Sequence, residues 1–176
     1  MNLARIALDY YATPSSVVEA ILPHLPPAAS VLDPCCGEGE ILALTGAADT
    51  LGIELDHGRA MAAMDVVCGL TVGDALAVDW PAAALCLFNP PWGRVQEFAA
   101  KAMAWRAQDP RRTVAMLARL TFLESAGRAA FHRTWPSDVF VFSRRPRFRP
   151  DTSGTDSVTA AWFVFGPGRG GRWSVL

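Results

Sequence analysis

Short apolar runs alternate along the chain with stretches whose apolar residues recur at helical spacing. Ser30–Asp33 (SVLD), Thr50–Glu54 (TLGIE), Leu70–Val72, Ala84–Phe88 (ALCLF) and Thr113–Arg119 (TVAMLAR) read as strands. Val139–Ser143 and Ala160–Phe165 (AAWFVF) add two more, for an expected set of seven. Arg94–Arg106 places Val95, Phe98, Ala102 and Trp105 on one helical face. Helices are also expected through Ile41–Leu44, over Gly58–Val66 and over Glu124–Arg133. Near the start, Pro14–Leu22 suits a helix with Thr13 as its cap and Pro14 at its first position. The stretch RRPRFRPDTSGTDS between the last two strands reads as a long loop. Strand–helix alternation predicts an α/β fold, a mostly parallel sheet with helices on both faces. In such sheets ligands bind beyond the carboxyl ends of the strands, where the strand order reverses.

At 176 residues the chain is expected to be one domain, 1–176, with no internal repeat and no separate recognition domain. Apolar residues are 51% and charged residues 19%, enough apolar side chains for a buried core. No apolar run approaches the ~18–20 residues of a membrane span. The opening MNLARIALDYY lacks a secretory pattern. Cys35 and Cys36 are adjacent, Cys68 and Cys86 stand apart, and no C-x-x-C pair occurs. Neither a disulfide framework nor a zinc site is expected. The expectation is a reduced, soluble, cytoplasmic protein with no membrane partner and no metal.

The net charge of −1 conceals an asymmetry: residues 1–88 carry 2 basic and 11 acidic side chains, residues 89–176 carry 14 and 6. A polyanion meeting the second half would account for this, as would attraction between the two halves of one fold.

The strand ends carry the candidate chemistry. After the first comes DPCCGEG (Asp33–Gly39), in which Gly37 and Gly39 let backbone approach a ligand closely. After the second comes Glu54, 21 residues beyond Asp33, an offset at which an acid can accept from both hydroxyls of a ribose. After the third comes Asp74-Ala75, where a carboxylate could take an exocyclic ring amine. After the fourth comes NPPW, Asn89–Trp92. The G-x-G-x-x-G fingerprint and the Gly-Lys-Ser/Thr phosphate loop are both absent, which disfavours NAD and ATP.

In this order, DYYATP, DPCCGEG, GIELD, VGDAL and NPPW resemble the class I S-adenosylmethionine-dependent methyltransferases of the N6-adenine amino type. RLTFLES (Arg119–Ser125), RRPRF (Arg144–Phe148) and AWFVF resemble a small phage-type branch of that family. The resemblance implies a Rossmann-like sheet of seven strands with the last antiparallel, and S-adenosylmethionine as cofactor. It implies that Asp33, Pro34, Cys35, Gly37 and Gly39 hold the methionine amino end of the cofactor. Tyr10, Tyr11 and Thr13 would lie near its carboxylate, and Glu54 would bind the ribose beside Leu55. Asp74 and Ala75 would face the cofactor adenine, and Asn89, Pro90, Pro91 and Trp92 would form the acceptor site.

NPPW suits that chemistry. An aromatic amine is a poor nucleophile because its lone pair is delocalised into the ring. The Asn89 side-chain oxygen and the Pro90 carbonyl, set against its two N–H bonds, can hold the nitrogen nearer to tetrahedral. Pro90 and Pro91 stiffen the turn, and Trp92 can stack on the base for about 1–3 kcal/mol. No dedicated general base is required, and His24, His57 and His132 read as structural or surface residues.

Arg144, Arg145, Arg147 and Phe148 form a basic loop with one aromatic, suited to phosphate tracking and base stacking. Contact with Asp151 and Asp156 would account for it equally well. Arg111-Arg112 is expected at the far sheet end from NPPW. The leading expectation is N6-adenine methylation of DNA, with target recognition by short loops or a partner subunit. The alternatives are adenine methylation of RNA, N-methylation of protein glutamine, and a non-catalytic nucleic-acid-binding subunit.

Overall fold

The computed structural model describes residues 12–148 and 159–176. In chain order the elements are α1 (Ser15–Ile21), β1 (Ser30–Asp33), α2 (Glu40–Leu44), β2 (Asp49–Glu54), α3 (His57–Ala63), β3 (Gly69–Val72) and β4 (Leu85–Phe88). They continue with α4 (Val95–Ala107), β5 (Thr113–Arg119), α5 (Ala126–Thr134), β6 (Asp138–Val141), β7 (Ala160–Phe165) and β8 (Trp173–Val175). The strands form one sheet in the order β3-β2-β1-β4-β5-β7-β6-β8. The pairs from β3 to β5 are parallel, β7 runs antiparallel to both β5 and β6, and β8 is parallel to β6.

Period-two alternation builds the core. In β5, Val114, Met116 and Ala118 face one apolar layer with Phe98 and Met103 of α4; Ala115 and Leu117 face the other with Val17, Val18 and Ile21 of α1. β4 and β7 divide the same way, so these strands are buried on both faces. The Trp162 indole N–H donates to the Val17 carbonyl at 3.0 Å and ties α1 to the sheet.

Among the described residues the sheet has eight strands, not the expected seven. β8 is a three-residue edge strand whose Trp173 is 75% exposed, so it lacks the apolar run that marks the others. Asp138 at the start of β6 holds it: its carboxylate accepts from the backbone N–H of Gly170 and Arg172 and pairs with the Arg169 and Arg172 guanidiniums at 3.2 Å. Thr13 does not cap α1; Pro14 itself is the extended residue before the helix, and no side chain among the described residues caps it. α3 ends at Ala63 rather than Val66, where Val66 and Val67 N–H both turn back to the Ala63 carbonyl.

The order reverses between β1 and β4, which pair with each other while their chain neighbours lie on opposite sides. That juxtaposition brings the segments after β1 and β4 together at one sheet edge.

Candidate active site

A cleft opens at this edge, lined by residues that follow β1, β2, β3 and β4. Asp33, at the end of β1, is buried; its Oδ1 accepts from the Cys35 N–H at 2.8 Å. Its Oδ2 is buried and has no hydrogen-bond partner among the described residues. Burial pushes the Asp33 carboxyl well above the usual carboxylate range, Glu40 and Glu54 add to the push, and the Cys35 N–H opposes it. A cation placed beside Oδ2 would reverse that penalty.

Gly37 (φ 58°) and Gly39 (φ 92°) take left-handed backbone, and a Cβ on Gly39 would meet Val66 at 3.0 Å. Neither glycine lines the cleft; they turn the chain so that Asp33, Pro34, Cys35 and Cys36 do. The Gly37 N–H donates to Glu54 Oε2 at 2.9 Å. Glu54 Oε1 accepts from the Asp56 N–H at 2.8 Å and from Arg59 Nε at 3.3 Å, so this buried carboxylate is fixed before any ligand arrives. Leu55 beside it is 52% exposed and presents apolar surface to the cleft.

After β3, Asp74 Oδ1 accepts from the Leu76 N–H at 2.9 Å, and Oδ2 lies 3.7 Å from the Arg94 guanidinium. The Ala75 carbonyl accepts from the Trp80 indole at 2.8 Å, which anchors the turn. After β4, Asn89, Pro90, Pro91 and Trp92 line the same cleft. The Trp92 indole N–H donates to Asn89 Oδ1 at 3.1 Å, and Asn89 Nδ2 donates to Thr13 Oγ1 at 3.1 Å. Thr13, lining the cleft, thus contacts the Asn89–Trp92 turn.

Thr13, Asp33, Pro34, Cys35, Glu54, Leu55, Asp74, Ala75, Asn89, Pro90, Pro91 and Trp92 therefore meet at one cleft. Tyr10 and Tyr11 lie outside the described residues. Arg144, Arg145 and Arg147 are exposed. Phe148 is 5% exposed and packs edge-to-face with Trp92 at 5.2 Å. It is therefore not the solvent-facing stacking residue expected; its ring braces Trp92 and ties the basic segment to the Asn89–Trp92 turn. Arg119, at the end of β5, places its guanidinium 5.1 Å over the Trp92 ring.

Sequence reasoning missed Glu40, Arg59, Arg94 and Phe98 in the lining. Arg59 carried a readable signal: it lies five residues after Glu54, within reach once Asp56 caps α3. His24 packs against Phe140 at 4.9 Å, and His132 Nε2 lies 3.0 Å from the Phe122 carbonyl. Arg111 and Arg112, bonded to Asp109 and Trp105, precede β5 at the far sheet edge. Cys35, Cys36 and Cys86 have thiols pushed upward, first by burial and next by neighbouring Asp33. Cys68 is exposed before β3; the Thr50 hydroxyl donates to its sulfur at 3.4 Å and holds that thiol below its ordinary value.

No protein-family profile and no curated protein matches the chain. Solved structures do match in fold. A Listeria monocytogenes protein named as a class I S-adenosylmethionine-dependent methyltransferase is 14% identical, with a TM-score of 0.71 over 97% of this chain and 67% of that one. The 23S rRNA methyltransferase ErmE is 17% identical, with a TM-score of 0.62 over 93% and 70%. The M protein of the type I restriction enzyme EcoKI is 15% identical, with a TM-score of 0.69 over 94% of this chain and 47% of that one. No helix of the described residues is long and apolar enough to cross a membrane. The chain therefore has the Rossmann-like fold of these methyltransferases.

Proposed function

We propose that the protein is an S-adenosylmethionine-dependent methyltransferase acting on the exocyclic N6 amine of adenine in DNA. The observation that carries this reading is the convergence of the orphaned Asp33 oxygen, fixed Glu54, Asp74 and the Asn89–Trp92 turn on one cleft. The residues present fit the cofactor: a buried carboxylate oxygen without a partner suits an ammonium, and exposed Leu55 suits an aromatic ring.

In this reading Asp33 holds the methionine amino group, Glu54 the ribose hydroxyls, and Asp74 and Ala75 the cofactor adenine. Tyr10, Tyr11 and Thr13 belong to the segment near the methionine carboxylate. When bound, S-adenosylmethionine supplies an electrophilic methyl on a sulfonium. The Asn89 oxygen and the Pro90 carbonyl accept from the target amine and aim its lone pair. Pro91 stiffens the turn, and Trp92 fixes the plane of the base. Orientation of this kind can contribute about 7–11 kcal/mol toward the barrier. After transfer the alkylated amine is a strong acid and loses its proton to water.

A nucleic-acid substrate is favoured by the cations around the acceptor turn. Arg119 lies over Trp92, and exposed Arg144, Arg145 and Arg147 precede Phe148, which touches Trp92. A duplex adenine must be extruded at a few kcal/mol, and phosphate contacts would hold the strand meanwhile. Target recognition falls to short loops or a partner subunit. Among the structural neighbours are a 23S rRNA methyltransferase and a type I restriction enzyme subunit, so RNA is the second reading.

The test is incubation with methyl-labelled S-adenosylmethionine and separate DNA, RNA and protein pools, followed by nucleoside analysis. Label as N6-methyladenine in DNA supports the reading, and label in RNA alone selects the second. Label only in protein, or none in any pool, rejects both. Asn89→Ala should abolish transfer while cofactor affinity changes little.

A further inference from the structure

Asparagine can present either end of its amide, and only one end can accept from a target amine. The two ends are nearly isosteric, so the neighbours decide which faces where. Here the decision is chemical. An indole N–H donates and cannot accept, so the Asn89 atom 3.1 Å from Trp92 Nε1 must be oxygen. The opposite end is then the amino group, and it donates to Thr13 Oγ1 at 3.1 Å. Thr13 is buried and lies 76 residues away, just before α1, while Trp92 is braced by Phe148. Rotating the amide by half a turn would set N–H against N–H at Trp92, whereas the Thr13 hydroxyl can turn to donate as readily as it accepts; Trp92 therefore sets the orientation and Thr13 anchors the far end.

From this geometry we infer that Trp92 and Thr13 are positioning residues for the Asn89 amide: Trp92 sets its accepting orientation and Thr13 holds its far end in place. The inference extends the amino-methyltransferase reading, on which the role of that orientation rests. It gives the fourth residue of NPPW a duty beyond stacking: a phenylalanine there would keep a ring but could not set the amide. It also makes Thr13 part of the acceptor site, since its hydroxyl is the far anchor of the amide.

Two measurements test it. The first needs no turnover. The Trp92 indole proton, identified by the resonance that Trp92→Phe removes, should exchange with solvent more slowly in the wild-type chain than in Asn89→Ala. Equal exchange in both would overturn the lock whether or not the protein transfers methyl groups. The second reads kinetics at saturating cofactor on the pool that the wild-type chain methylates. Trp92→Phe and Thr13→Val should each lower kcat about five- to tenfold, the effect of one lost hydrogen bond. KM for the nucleic acid and the thermal midpoint should stay near wild type. Thr13→Ser, which keeps the hydroxyl, should restore kcat. Wild-type kcat in Thr13→Val, or failure of Thr13→Ser to restore it, would overturn the inference. A wild-type chain that labels no pool would defeat the functional reading while leaving the exchange result to judge the lock.

Discussion

Asp33→Asn should stabilise the ligand-free protein while weakening its hold on the cofactor. The Asp33 Oδ2 atom is buried without a partner among the described residues, and burial has pushed the carboxyl upward. An unsatisfied buried group costs about 1–3 kcal/mol, more when it is charged. Asparagine is nearly the same shape and leaves one polar end unsatisfied, but it removes the charge, the costlier part of the penalty. For a chain of 176 residues, where 1 kcal/mol moves the midpoint by about 2–4 °C, the variant should melt roughly 2–10 °C higher at neutral pH. The pH dependence has a definite sign. Because the folded carboxyl titrates above its unfolded value, no penalty exists below the unfolded value, and the penalty grows as pH rises through the folded one. The gap between variant and wild type should therefore open with rising pH and close in acid. Cofactor affinity, read by calorimetry, should fall about 10- to 150-fold, the equivalent of a charge-assisted bond of about 1.5–3 kcal/mol. A variant that melts lower than wild type at neutral pH, or that binds cofactor equally well, would refute the reasoning.

Gly52→Ala puts a Cβ 2.7 Å from the Cys36 sulfur and 3.2 Å from Leu70, so it should cost about 1–3 kcal/mol in denaturant melts. Adding Cys36→Ala should recover part of that loss, and strict additivity would show that the clash is elsewhere. Burial works to raise the Asp138 carboxyl, but the Gly170 and Arg172 N–H groups and the Arg169 and Arg172 guanidiniums hold it below the usual range. Its stabilisation is therefore present above the unfolded value and lost as pH falls through the lowered one, so amide exchange at Leu176 should accelerate first in acid. Charge reversal at Arg145 and Arg147 should weaken nucleic-acid binding and flatten its log–log salt slope by about 0.9 per lost phosphate contact. An unchanged slope would remove that segment from the binding surface.

Much of the frame was legible because two-sided burial leaves continuous apolar runs. The bounds of β1, β5 and β7 match the sequence pattern residue for residue. β8 was invisible because an exposed edge strand of three residues carries no such run; buried Asp138 and two arginines hold it instead. Those arginines also show why a count of basic residues overstates the surface available to a polyanion. Arg106, Arg112 and Arg128 hold backbone carbonyls, Arg111 pairs with Asp109, and Arg169 and Arg172 pair with Asp138. At the cleft, the strand-end residues could be named from their order alone. The partnership of Thr13 with Asn89 could not, because the two are 76 residues apart and nothing local marks the contact. Phe148 was misread for the same reason: its neighbours are charged and exposed, while its ring turns inward onto Trp92.

The cysteines divide the molecule into a silent side and an addressable one. Cys35, Cys36 and Cys86 sit under or beside the cleft with thiolates suppressed by burial and by Asp33. Cys68 stands exposed before β3, at the opposite sheet edge, with its thiolate favoured. A maleimide dye should therefore settle on Cys68 in the folded chain. It would offer a fluorescent label that leaves the cleft residues untouched.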